Sequence, residues 1–420
     1  MSYQLIDHPT LGQMVREVMP NGLTVYLYPM TKIHSAYCIL GTRVGSADDR
    51  YYQDGQVCTM PAGVAHFLEH KLFESEDGDL FYKFGVTGAN ANAYTSFDRT
   101  CYLFSCTENL TQSLDILLKQ LQNPYLTPEN VEKEKGIIAE EIAMYDDDAE
   151  WRSSFNLLQS LYVNNSVRID IAGTKESIMQ ITCDTLQNAY RRYYHPQNQC
   201  LAIAGNMDVE QVLAVCRQNC AEATDFELQR VPVDEPREVN DHYSEMQLPI
   251  AVPLVTLGYK EEVPADFATK IVDTLLIELL VGETTSFYKQ AYDAGIVGPT
   301  FGTEVFSGDD YHALLFSCET AKYNEFVSAI KERIAYCRQN GLPREDFELI
   351  KKSIYGRRVR GFTRPESVAT SMMSAHFVGK DVFWLTDVLK DITFDMVQER
   401  FCSVLFDEYS AVSLILPEEE

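Results

Sequence analysis

One four-residue phrase, Leu-Phe-Ser-Cys, occurs twice in this 420-residue chain, followed in one place by Thr-Glu and in the other by Glu-Thr. Leu103-Phe-Ser-Cys-Thr-Glu108 returns as Leu315-Phe-Ser-Cys-Glu-Thr320, an offset of 212 (315 − 103). Each copy is followed by a helix-like stretch and then by a proline-started acidic helix, at Pro128 and at Pro343, an offset of 215 (343 − 128). Two echoes in the same order point to a duplicated unit, and two similar halves are expected. Its length leaves room for both. Residues 221–247 are rich in Glu, Asp and Pro with little apolar periodicity and read as the connector. The expected division is 1–222, linker 223–244, and 245–420.

Within the first copy, 22–29, 35–44, 88–97, 100–106 and 199–205 read as strands. Residues 63–73, 110–121, 128–145, 151–162 and 182–194 read as helices, with Thr127 as N-cap and Pro128 at the first position of the acidic one. Residues 47–60 are polar and read as loop.

The two copies differ in chemistry. The first contains His66-Phe-Leu-Glu69-His70 on a helix. Imidazoles four apart lie one turn from each other on one face and can share a metal ion. Glu69 points toward the same face, where a carboxylate can take a proton from water. His-x-x-Glu-His is the inverted order of the zincin motif. Hydrolytic zinc sites use three protein ligands and keep one position open, so another ligand must come from elsewhere. The acidic helix offers Glu132, Glu134, Glu140 and Glu141; spacing alone leaves the choice open. At the 212 offset, His66, Glu69 and His70 become Glu278, Val281 and Gly282, so the second copy has lost the motif. The stretch Gly88-Ala-Asn-Ala-Asn-Ala-Tyr-Thr-Ser-Phe97 alternates small and polar residues, the pattern of an edge strand that can pair with a bound peptide.

Charge narrows the partners. There are 35 basic and 62 acidic residues, a net charge of −27, which argues against nucleic acid and anionic membrane. A solvated acidic surface explains this better than a chamber for cationic peptides. Eleven cysteines without a CxxC pair read as reduced thiols. Residues 1–21 show no apolar signal-peptide core, and the longest uncharged apolar run, 248–259, is too short to span a bilayer. A cytoplasmic protein is expected.

The chain resembles the pitrilysin/insulinase family of zinc metallopeptidases, the inverzincin group. It is similar to the catalytic subunit of mitochondrial processing peptidase and, within the family, to the bacterial YfmH-like subgroup. The resemblance spans nearly the whole chain. It is strongest at Ala65–Glu74, at Asn92-Ala-Tyr-Thr95 and at Glu134-Lys-Gly-Ile-Ile-Ala-Glu-Glu141; the subgroup shows in Glu132-Lys-Glu-Lys-Gly-Ile-Ile138 and Met144-Tyr-Asp-Asp147.

The resemblance implies Zn2+ held by His66, His70 and Glu141, with Glu69 as general base and Glu134 as a second acid supporting the site. It implies that Asn92 and Ala93 hold substrate backbone. The implied fold is α+β: two homologous αβ halves, each an antiparallel-rich mixed sheet with helices packed on one face, together one jaw of a clamshell. The implied activity is that of a zinc-dependent endopeptidase for short or unfolded peptides. The alternatives are a non-catalytic peptide-binding or scaffold subunit, and a peptidase dedicated to trimming a leader. Active family members carry an Arg and a Tyr seven residues apart in the opposing jaw. In Tyr288–Gly298 those positions are Ala291 and Gly298, which implies a heterodimer with a related subunit that lacks the zinc motif and keeps the pair; a homodimer is the alternative.

Overall fold

The computed structural model describes residues 3–418 apart from 54 and 77. In chain order the first half carries β1 (Gln4–His8), β2 (Gly12–Val18), β3 (Thr24–Pro29), β4 (Ala36–Thr42), β5 (Arg50–Gln53), β6 (Gln56–Thr59), β7 (Glu74–Ser75), β8 (Gly78–Asp79), β9 (Asn90–Thr95), β10 (Thr100–Cys106) and β11 (Gln199–Gly205). The second half carries β12 (Tyr243–Leu248), β13 (Leu254–Lys260), β14 (Gly302–Ser307), β15 (His312–Glu319) and β16 (Ser410–Pro417). The first sheet runs β1-β2-β3-β11-β4-β10-β9 and the second β12-β16-β13-β15-β14.

The duplication is visible in these orders. Removing β1 and β2 leaves β3-β11-β4-β10-β9, which matches the second sheet strand for strand. In each sheet the first pair is parallel, β11 with β3 and β12 with β16. The remaining pairs are antiparallel. The repeated phrase falls on β10 and β15, the matching next-to-edge strands. The α+β class and the antiparallel-rich mixed sheet expected from sequence are therefore what the chain builds.

The chain packs into two compact units that are not contiguous in sequence. One comprises Met1–Ala139, Ile171–Val231 and Arg357–Thr386; the other comprises Glu140–Asp170, Pro232–Gly356 and Asp387–Glu420. The packing thus cuts across the expected contiguous boundaries at 222 and 245, because each sheet is covered by a helix from the other half. The Pro365–Phe377 helix lies on β11 and β4, and the Ala149–Leu161 helix lies on β16 and β13. A central glycine admits each helix. A Cβ on Gly41 in β4 would stand 2.4 Å from Met373 Sδ, and one on Gly258 in β13 would stand 2.9 Å from Leu161 Cδ1. The first sheet's helix-covered face is a continuous apolar cluster containing Met14, Ile39, Cys101, Ala202, Met372 and Met373. Burial of this kind contributes roughly 25 cal/mol per Å² of apolar surface removed from water.

Residues 47–60, expected as loop, contain the hairpin β5–β6. Its four-residue strands, Arg-Tyr-Tyr-Gln and Gln-Val-Cys-Thr, lack the apolar alternation by which a half-buried strand is recognised. Part of the connector is tied down on it. Arg230 bridges Tyr51, and the Tyr52 N–H donates to the Gln229 carbonyl at 2.9 Å.

Candidate metal centre

The motif helix is Val64–Leu72, with Val64, Phe67, Leu68 and Leu72 buried as the periodicity requires. It starts at a close crossing of two backbones. Gly63 and Gly173 have φ of +89° and +80°, where a side chain is disfavoured. A Cβ on Gly63 would meet the Ala172 carbonyl at 2.4 Å, and one on Gly173 the Ala62 carbonyl at 2.6 Å. Ser177 Oγ donates to the Ala62 carbonyl at 2.8 Å and completes the clamp. The helix packs against β9 and β10.

The acidic helix spans Pro128–Asp146, and the Thr127 hydroxyl caps it by accepting from Asn130 N–H at 3.2 Å. It delivers two carboxylates to the motif. One ligand atom from each of His66, His70 and Glu141 lies within 4.8 Å of the others, the one such group among the described residues. The imidazole rings sit edge to face with centroids 4.6 Å apart. His66 is buried, and His70 and Glu141 are partly so. Spacing leaves the choice among the glutamates open; in the folded helix Glu141 is the one that comes within this distance of both histidines.

Glu134, two turns earlier, reaches His70 from the other side. Its Oε1 lies 3.0 Å from His70 Nδ1. That bond commits Nδ1 and leaves Nε2 as the donor atom for an ion. Burial alone would raise the Glu134 pKa, but the hydrogen bond from His70 and the charge of Lys71 hold it below the ordinary value. Glu69 accepts a 2.6 Å hydrogen bond from Thr95 Oγ1 on β9. Glu141 accepts one from Tyr145 at 2.9 Å, and the Tyr145 ring stacks on Trp151 with centroids 4.5 Å apart.

The donor set fits a zinc-type ion. Two imidazoles and a carboxylate converge, which leaves one tetrahedral position for water or substrate. Each of these residues also has a hydrogen-bonding or packing neighbour that orients it. Three such neighbours, Lys71, Thr95 and Tyr145, were not singled out from sequence. Lys71 had a usable signal: it stands four residues after Phe67, a charge on an otherwise apolar helical stripe.

Asn92 and Ala93 lie on β9, which among the described residues pairs with β10 alone and closes the sheet as its edge. Asn92 is exposed, and its Oδ1 accepts from the Ala93 N–H at 2.8 Å. Ala291 is buried in the Ser286–Asp293 helix, and Gly298 follows the turn at Gly295.

Residues 31–175 match the family described as Insulinase (Peptidase family M16), and residues 180–354 match Peptidase M16 inactive domain. The chain is 34% identical over 414 residues to the uncharacterized zinc protease YmfH of Bacillus subtilis, covering 96% of each. The crystal structure of an M16-like peptidase from Alicyclobacillus acidocaldarius superposes with a TM-score of 0.93 at 32% identity, covering 100% of this chain and 99% of that one. Pitrilysin has the same fold, with a TM-score of 0.76 at 16% identity; this chain covers 47% of it.

Proposed function

Because the chain belongs to the insulinase (M16) peptidase family, we propose that it is a zinc-dependent endopeptidase acting on short or unfolded peptides. The observation that carries this reading is the convergence of His66, His70 and Glu141 beside Glu69. Zinc, when bound, acidifies water and polarises a scissile carbonyl. Glu69 takes the proton from the attacking water and delivers it to the leaving amine, and the Thr95 hydroxyl orients the carboxylate for that task. Glu134 fixes the His70 ring. The peptide adds as a further strand on the free edge of β9, so backbone bonding supplies affinity with loose sequence preference. Asn92 must release the Ala93 N–H for that pairing, since its own side chain now accepts from it.

We further propose that the chain works as one jaw with a related subunit that lacks the zinc motif. Ala291 and Gly298 stand where the resemblance expects the substrate-gripping Arg and Tyr, which supports this reading over the homodimer. A cytoplasmic setting is part of the proposal. The eleven cysteines are all free, which suits a reducing compartment. No helix among the described residues is long and apolar enough to cross a membrane.

Glu69→Gln tests the mechanism. Hydrolysis of an unstructured peptide should fall by roughly 10²–10⁴-fold with zinc content retained. Unchanged turnover would remove Glu69 from its role.

A further inference from the structure

Lys71 directly follows the second histidine of the motif and is fully buried. A buried ammonium keeps its charge only where acceptors meet its three N–H donors. Three acceptors surround Lys71 Nζ: the Glu74 carboxylate, Glu134 Oε2 at 3.4 Å and the Asn130 carbonyl at 3.4 Å. The other Glu134 oxygen is the one bonded to His70 Nδ1. Ammonium, carboxylate and imidazole therefore form one line that ends on a proposed ligand. The Glu134 side chain is only 12% exposed, so water is a poor substitute for either partner.

We propose that Lys71 is a positioning residue of the metal centre. Its ammonium pins Glu134 behind His70, which fixes the ring's orientation and tautomer and keeps that carboxylate from turning inward to become a ligand. Without Lys71, Oε2 loses its charged donor and the carboxylate's hold depends on the Oε1 bond to His70. The strongest remaining partner for it is then the ion itself. Lys71 also holds the Glu74 carboxylate and the Asn130 carbonyl, but its route to the proposed ion runs through Glu134. The inference rests on His66, His70 and Glu141 being the zinc site.

The test is a double-mutant cycle on zinc affinity in the full chain, read by competition with a chromophoric chelator. Lys71→Met should weaken zinc about 10–100-fold, the usual cost of losing an outer partner. Glu134→Gln should weaken it to a similar degree. The double variant should be no weaker than Glu134→Gln alone, because Lys71 has then nothing left to act on. Additive weakening, or an unchanged Kd in Lys71→Met, overturns the proposal; a purely packing role would give additivity with a lowered Tm. If Lys71→Met does not fold, Lys71→Gln, which keeps donors without the charge, carries the same cycle. Wild-type protein that binds no zinc would overturn the zinc reading itself. Zinc binding that is indifferent to Lys71 would remove this inference alone.

Discussion

The two halves share a five-strand order, a parallel first pair and the phrase Leu-Phe-Ser-Cys, yet their buried histidines meet different partners. In the first half, imidazoles and a carboxylate converge on a position for a cation that must come from outside. In the second, the cation is a side chain. Asp273 and His312 are fully buried; Asp273 accepts from Arg400 at 2.8 and 3.0 Å and lies 2.9 Å from His312 Nε2. The donors of the first half have no counterparts there. The Phe267–Val281 helix carries Glu278 where the first histidine would stand and stops at Gly282, where the second would. Glu141 corresponds to Ser353 or Gly356, according to the offset. The fold thus survives loss of the site, so the site is an addition to the unit and no part of what holds it together.

That contrast can be broken most directly by exchanging which histidine is removed. His70→Ala should abolish both zinc binding and hydrolysis. His312→Ala should leave zinc stoichiometry intact and cost about 1–3 kcal/mol of stability, since it strips a partner from a buried carboxylate. Loss of zinc in His312→Ala, measured by elemental analysis, would end the division of labour.

A smaller effect sharpens the second half's side. Burial pushes the Glu261 carboxyl up to about 7 from an ordinary 4.5, although the Leu405 N–H and Arg400 pull the other way. A carboxyl raised in the folded state contributes its stabilisation fully below the unfolded value, and that contribution is lost as pH climbs through about 7. The shift corresponds to at most about 3 kcal/mol. Glu261→Gln keeps an acceptor for Leu405 N–H, so its Tm should match wild type near pH 4.5 and exceed it at pH 8. A lower Tm at pH 8 would show the charged form to be needed.

The smallest effect concerns what the halves share. Gly41→Ala and Gly258→Ala should each destabilise by about 1–3 kcal/mol, through overpacking against Met373 and against Leu161 and Leu157. Comparable falls in Tm support equivalent helix exchange. A fall in only one variant would show that the two covered faces are not alike.

Much of this was readable from the residues. The repeated phrase announced the duplication, and the motif announced its own helix, because four-residue spacing and an apolar stripe agree on one face. Gln199–Gly205 and Thr100–Cys106 were bounded correctly since both are nearly continuous buried runs. Three things lay out of reach for physical reasons. The helix exchange depends on long-range packing, and a contiguous reading has no term for it. The β5–β6 hairpin carries too little apolar pattern. The choice of Glu141 over Glu140 depends on the rotation of a helix in which these two glutamates are adjacent, about 100° apart around the axis, and periodicity in a half-exposed helix does not fix that rotation. Lys71, Thr95 and Tyr145 belong to the same class: their partners are 26 and 63 residues away or one turn on, and only folding identifies them.

The central claim is that one cation sits between the two histidines and Glu141. Crystals grown with zinc and measured across the zinc absorption edge test it directly. One anomalous peak per chain should lie about 2.0–2.2 Å from a ligand atom of each of His66, His70 and Glu141. No peak there, or a peak held by other side chains, would contradict the account.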